Sequence, residues 1–427
     1  MHVLFYTPHW KTGGIERIIK YIADGLNSDR YRFSIITEDY PRPSGQFQIE
    51  GASIYFREFS PFNSDNALRF RELVNRIQPD IAVAMGSSRA LYKPSRALLG
   101  SEIPIIMSEH NPPERLVGRF NGDFRFLNAV RDLADFNHVL FERYAQGYHQ
   151  PNKVRVIGNP VPSAVSVADP YAARKNWIVN ISRYDLEQKQ QDVLIKSFAK
   201  ISSQYPAWNL ALYGENWNGG REKVTALSRA LGLEDRVAVN GATTDVEGAL
   251  LSGKIFAFPS AYEGFPLAAG EALSHGLPIV GFRDCPGLNQ LVSAGYNGLL
   301  AGPGVRNVSS LAETLARLMG DERLRVEMAE NAEQSVKKYR LDSFLSAWSS
   351  LFDEAFDRRG KNILFLNSAI ELEYFNLLSS GRLFDELKES GARSRRRKRR
   401  HNSGFKRRIK CIVKAFRKTR LFDRVPQ

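Results

Sequence analysis

Apolar residues along this chain gather in short β-prone runs that alternate with stretches of helical spacing. The first run, Val3 to Thr7, leads through Thr12-Gly13-Gly14 into Ile15, Ile18, Ile19, Ile22 and Leu26, which predicts a strand, a glycine turn and a helix. Phe33 to Thr37, Ile81 to Met85 and Ile103 to Met107 read as further buried strands, with a helix over 67–77. The pattern breaks at Val156-Ile157-Gly158-Asn159-Pro160-Val161-Pro162, where two prolines in a turn-rich stretch predict an interdomain linker. It resumes with five strands at 177–182, 210–213, 237–239, 255–258 and 278–281, then helices at 311–319 and 324–339. An amphipathic helix carrying Phe344, Ala347, Leu351, Ala355 and Phe356 follows. Alternation of this kind predicts parallel sheets covered on both faces. The reading is an α/β chain of two Rossmann-like domains, 1–160 and 161–340, with 341–360 packing back toward the first, 361–390 unassigned and a basic amphipathic tail at 391–427.

Composition changes this picture in one respect. The formal charge of +14 is confined to the tail: residues 391–427 hold sixteen Lys and Arg against one acid, Asp423, while the remainder holds 44 bases and 45 acids. Bulk attraction to a polyanion is therefore expected of the tail alone. There, Phe405, Ile409, Ile412, Val413 and Phe416 fall at helical spacing among the bases, a pattern suited to an anionic membrane surface. Little aromatic interleaving accompanies the charge, so nucleic acid is not the favoured partner, and a solvated basic extension is the plain alternative. Hydrophobic content of 43% with 25% charged residues fits a folded globular body. Two cysteines, Cys285 and Cys411, are too few for a disulfide framework. The first residues lack the form of a secretory leader and there is no apolar run of spanning length, so a cytoplasmic protein, peripheral on the inner face of the membrane, is expected.

Candidate chemistry concentrates after the strand at 255–258, in Ser260-Ala261-Tyr262-Glu263-Gly264-Phe265-Pro266-Leu267-Ala268-Ala269-Gly270-Glu271-Ala272-Leu273. Glu263 is expected in the loop at a strand's C-terminal end, where open α/β sheets bind ligands. Pro266 suits the first turn of the following helix, Glu271 its second turn, and the amides from Gly264 to Leu267 are expected to face an anion. Carboxylates in such a loop suit sugar and ribose hydroxyls, and cations elsewhere would suit a diphosphate.

The Glu-Gly-Phe-Pro-Leu opening, the second Glu eight positions on and the later Ser-His-Gly-Leu-Pro-Ile-Val resemble the family-4 retaining glycosyltransferases of GT-B fold, in which two Rossmann-like domains face each other across a cleft. Ser182-Arg183 with Lys189, Thr12-Gly13-Gly14-Ile15-Glu16-Arg17, and Ser108-Glu109-His110-Asn111 are similar to further motifs of that family, so the resemblance runs from about residue 3 to 340. It implies that Arg183 and Lys189 neutralise the leaving diphosphate, that Glu271 takes the ribose and that Glu263 holds the transferred sugar. Gly13 and Gly14 would approach the donor from the opposite domain, and Gly264, Phe265, Pro266 and Leu267 would line it. His110 would contact sugar or acceptor near the attacked carbon, with Glu16 and Glu109 on the acceptor side. A nucleotide sugar, UDP-linked by expectation, is the donor, a lipid-linked or saccharide hydroxyl the acceptor, and no metal or other cofactor is expected. The chain departs from the family's Gly-x-Gly in carrying Tyr213-Gly214-Glu215-Asn216-Trp217.

Each residue also has a plain structural reading. Gly13 and Gly14 could only make a tight turn, His110 could end a strand, Glu16 and Glu109 could cap helices, and Cys285 could be a packed thiol. Two rival functions remain open on sequence: a non-catalytic anion- or nucleic-acid-binding protein on the same scaffold, and a nucleotide-sugar epimerase, which needs no acceptor.

Overall fold

The computed structural model describes residues 1–10, 13–38, 49–56, 64–86, 94, 97–98, 101–118, 127–128, 131–163, 171 and 174–360, all within one compact unit. Thr12, the unassigned stretch 361–390 and the basic tail lie outside them.

Two parallel sheets organise these residues. The first holds β1 (His2–Thr7), β2 (Arg32–Thr37), β3 (Ser53–Phe56), β4 (Ile81–Gly86), β5 (Ile105–Glu109), β6 (Phe136–Val139) and β7 (Val154–Val156), in the order β3-β2-β1-β4-β5-β6-β7. Helices α1 (Gly14–Gly25), α2 (Ser64–Ile77) and α3 (Pro113–Gly118) connect them. The second sheet holds β8 (Trp177–Ile181), β9 (Asn209–Tyr213), β10 (Val237–Val239), β11 (Ile255–Phe258), β12 (Ile279–Phe282) and β13 (Gly298–Ala301), in the order β10-β9-β8-β11-β12-β13. Around it run α4 (Gln191–Ile201), α5 (Gly220–Ala230), α6 (Val246–Leu251), α7 (Leu267–Ser274), α8 (Leu288–Leu291), α9 (Val308–Gly320) and α10 (Glu322–Val336). In each sheet the strand order reverses once, between β1 and β4 and between β8 and β11, which opens a crevice at the strands' C-terminal ends.

Four strands escape the periodicity, β3, β6, β7 and β13, and none exceeds four residues. In β6 the apolar run is interrupted by Asn137 and His138, both buried and both hydrogen-bonded. The predicted strand at 103–107 begins two residues late, at Ile105, because Pro104 has no N–H to give a neighbouring strand.

Helix α11 (Leu341–Phe356) leaves the second lobe and seals the first sheet. Phe344, Trp348, Leu351, Phe352 and Ala355 are buried in the core that contains Val3, Phe5, Ile18, Ile22 and Val83. Polar ties accompany the packing: Tyr31 Oη lies 2.8 Å from Ser349 Oγ, and Arg155 Nη2 donates to Glu354 Oε2 at 2.5 Å. At the seam between lobes, Phe265 stacks on Phe141 with centroids 5.1 Å apart, and Tyr339 meets its edge at 5.1 Å.

Candidate active site

The two reversals in strand order deliver their loops to one place. After β8 the chain enters Ser182-Arg183 and turns at Asp185, whose Oδ1 accepts from the amides of Glu187 and Gln188 at 3.2 and 3.1 Å. That turn places Lys189 toward the loop that follows β11. There Lys189 Nζ donates to Glu263 Oε1 at 2.7 Å, with both side chains nearly buried. A buried ammonium and carboxylate require each other, since either alone would carry an uncompensated charge. The two loops are stitched by backbone as well: Ala261 N donates to Gln188 O at 2.8 Å, and Gln188 Nε2 to Tyr262 O at 3.2 Å.

The loop carrying Glu263 is held from both sides by glycines. Gly264 lies so close to the first lobe that an added Cβ would strike the carbonyl of His110. Gly287, at φ +81°, tolerates a backbone conformation that L side chains rarely adopt, and an added Cβ there would strike the carbonyls of Glu263 and Gly264. The adjacent Pro286 carbonyl accepts from Glu263 N at 2.9 Å. The segment Asp284-Cys285-Pro286-Gly287 is thus a buttress under Glu263, and Cys285 is a buried thiol whose pKa burial pushes up. From the first lobe, Tyr144 Oη donates to the carbonyls of Glu263 and Gly264 at 3.3 and 3.2 Å.

Glu271, on the second turn of α7, is paired across the lobes: Arg17 Nη1 of α1 donates to its Oε1 at 2.7 Å. One turn earlier on α1, a Cβ on Gly14 would meet Leu267 at 3.8 Å, so the glycine turn of the first lobe faces the start of α7. Glu16 folds back over Gly13 and is largely buried. Arg183 takes another direction. Its guanidinium donates to Asp185 Oδ2 at 3.1 Å and Gln188 Oε1 at 2.7 Å and lies 5.2 Å over the ring of Trp217. It lines a cleft of about 570 Å³ together with Asn111 and Arg115 of the first lobe and Tyr262 and Trp217 of the second. Arg115 lies 3.7 Å over the ring of Tyr262, bridging the lobes. Glu263, Lys189 and Glu271 do not line this cleft; their neighbours Tyr262 and Gln188 do.

Three expectations need correction. Glu109 is not free for an acceptor, because Arg131 Nε and Nη2 grip both its oxygens at 2.7 Å in a pair that is almost wholly buried. Phe265 does not offer its ring to a donor, because that ring is packed between Phe141 and Tyr339. The amides from Gly264 to Leu267 do not all point outward: Pro266 has none, and Leu267 N donates to Phe265 O at 3.0 Å. His110 lies where the lobes meet, its carbonyl against Gly264; it is partly exposed, and burial and the nearby His138 lower its pKa to about 3. Arg17, Tyr144 and His138 went unread in the sequence as partners of the site. Only Arg17 carried a usable signal, lying on α1 one turn beyond the glycines. Among the described residues no group of three or more His, Cys, Asp and Glu could hold a metal, and no helix is long and apolar enough to cross a membrane.

Comparison with known proteins agrees with this fold. The family description "Glycosyltransferase Family 4" matches residues 12–164, and "Glycosyl transferases group 1" matches 169–335. An uncharacterized glycosyltransferase of Haemophilus influenzae is 26% identical over 79% of this chain and 96% of its own length. A Campylobacter jejuni α-1,4-N-acetyl-D-galactosaminyltransferase acting on an undecaprenol-diphosphate-linked saccharide is 22% identical, covering 83% and 99%. Among solved structures, Anabaena HepE in complex with UDP superposes with a TM-score of 0.67 at 18% identity, over 83% of this chain and 100% of that one.

Proposed function

Because the chain belongs to the family-4 glycosyltransferases of GT-B fold, we propose that it moves a sugar, with retention of configuration, from a nucleoside diphosphate to a hydroxyl of a lipid-linked or polysaccharide acceptor. The observation that carries this reading is the Lys189–Glu263 pair at the reversal point of the second sheet, opposite the glycine turn and His110 of the first. Glu263 holds hydroxyls of the transferred sugar, and Glu271 those of the ribose. Lys189 and Arg183 take the negative charge that grows on the diphosphate as the glycosidic bond breaks, in the part a divalent ion plays elsewhere. Departure leaves positive charge at the anomeric carbon, which the acceptor hydroxyl meets from the face the diphosphate has left. UDP is the favoured nucleotide, supported by HepE and UDP sharing one crystal. The cleft lined by Arg183, Trp217 and Tyr262 opens next to the loop of Glu263 and takes the diphosphate end of the donor. The basic segment 391–427 keeps the enzyme at anionic lipid, where a lipid-linked acceptor resides.

The test is a thermal-shift screen of nucleotide sugars, since a ligand of the folded state alone raises stability with its concentration over Kd. Release of nucleoside diphosphate follows on adding polyprenyl-diphosphate saccharides. Nucleotide-sugar conversion without an acceptor would instead favour an epimerase. For the tail, flotation of the full chain with anionic but not neutral liposomes is expected, and its loss on deleting 391–427. Retention of a nucleic-acid probe in place of liposomes would overturn the membrane assignment.

A further inference from the structure

His110 is the last link of a hydrogen-bonded chain that begins two strands away. The carbonyl of Ile157 can only accept, so His138 Nε2, 2.8 Å from it, carries the proton. With His138 neutral, its Nδ1 is a lone pair, and Ser108 Oγ, 2.7 Å away, donates to it. The hydroxyl's single hydrogen is then committed, so Ser108 Oγ accepts from His110 Nε2, 2.9 Å away. What remains on His110 is the lone pair of Nδ1, which makes no hydrogen bond among the described residues. Strand register sets the geometry: Ser108 of β5 stands directly opposite His138 of β6, and His110 lies two residues beyond Ser108, on the same face. The whole chain is sealed by α11, whose buried Trp348 lies 4.8 Å from His138, centroid to centroid. Water is excluded from Ser108 and His138, both fully buried, and this same desolvation lowers the pKa of His138 to about 4, which keeps it neutral.

We propose that Ser108 and His138 are positioning residues that fix His110 as the neutral Nε2–H tautomer, leaving its Nδ1 lone pair as an acceptor for a substrate hydroxyl. The hydroxyl-binding part rests on the glycosyltransferase reading above; the tautomer does not. His110 therefore contributes no positive charge to the diphosphate, and that duty stays with Lys189 and Arg183. A histidine free to rotate, or one carrying its proton on Nδ1, would offer the hydroxyl a donor instead and repel the hydrogen it must accept.

Long-range 15N–1H correlation on the full chain, with labelled histidine and no substrate, reads the tautomer directly. His110, assigned by loss of its signals in His110→Asn, is expected to show a lone-pair Nδ1 and a protonated Nε2 at neutral pH. A protonated Nδ1, or rapid averaging of the two forms, would overturn the proposal. Ser108→Ala is expected to convert the single tautomer into a mixture and to lower kcat about tenfold with the donor KM unchanged, the size typical of a lost positioning partner. Ser108→Thr, which keeps the hydroxyl, is expected to restore both. If Ser108→Ala does not fold, the wild-type spectrum still decides. A correct tautomer without any transfer would leave the relay standing and remove the glycosyltransferase reading.

Discussion

The two lobes share a topology but equip their crevices with opposite chemistry. The second lobe brings formal charge and holds it by ion pairing within its own loops, as in Lys189 with Glu263 and Arg183 with Asp185. The first lobe brings a backbone glycine turn and a neutral histidine tuned by hydrogen bonds, and its buried carboxylate Glu109 is cancelled by Arg131. The difference teaches which half does what. On the proposed reading, the cations Lys189 and Arg183 face the diphosphate, whose charge grows in the reaction, while Glu263, Glu271 and His110 face hydroxyls, whose recognition needs direction more than field strength.

The comparison breaks most visibly if the charged pair is dispensable. Glu263→Gln keeps shape and removes charge, and with Lys189→Met it forms a double-mutant cycle. Each single variant is expected to lower transfer about 10³-fold, the scale of a lost transition-state contact. Because the two residues form one unit, the double variant is expected to lose hardly more than either single. Additive losses in nucleoside diphosphate release would show that the pair does not act together.

The neutral lobe is tested by acid. His138 is depressed from its ordinary value of 6.5 to about 4, so the unfolded chain takes up a proton as pH falls below 6.5 while the folded chain does not. Stability is therefore undisturbed by this group above 6.5 and declines as pH falls toward 4, by on the order of 3 kcal/mol. Thermal melts of wild type and His138→Asn across that window should differ in slope, the variant being flatter. Parallel slopes would mean that His138 is not held neutral.

Contact between the lobes is tested by Gly264→Ala. The added methyl must displace the carbonyl of His110, and a shift of about 1 Å at a catalytic centre costs on the order of 10²-fold in rate. Transfer is expected to fall by that amount while the melting temperature of the enzyme changes little. Full activity would show that the lobes can part there without consequence.

Legibility in the sequence followed the same division. The positions of Glu263 and of the helix bearing Glu271 could be read because each is set by local features, a buried strand and a proline before a helix, whereas Lys189 was reached through the family resemblance. Strands with long apolar runs were equally plain, whereas β6 was hidden by Asn137 and His138, polar residues satisfied only by partners elsewhere in the fold. Glu109 misled for the complementary reason. Its segment matched a motif, but its fate is decided by Arg131, 22 residues away. Nothing near Ser108 announces that His138 will stand opposite it, since strand register is a property of the assembled sheet.

The smallest effect is the most discriminating between lobes. Arg17 of α1 is the cation that reaches across to Glu271, and its side chain is 37% exposed. A partly exposed pair contributes about 0 to 1 kcal/mol, so it holds the lobes together only weakly. If Glu271 is to receive the ribose, Arg17 competes with the ligand for the same oxygen. Arg17→Ala should then leave the melting temperature of the free enzyme nearly unchanged and tighten donor binding by no more than about fivefold, read by titration calorimetry. Weaker binding would instead make Arg17 part of the donor site, giving the first lobe a working charge and ending the division between a charged and a neutral half.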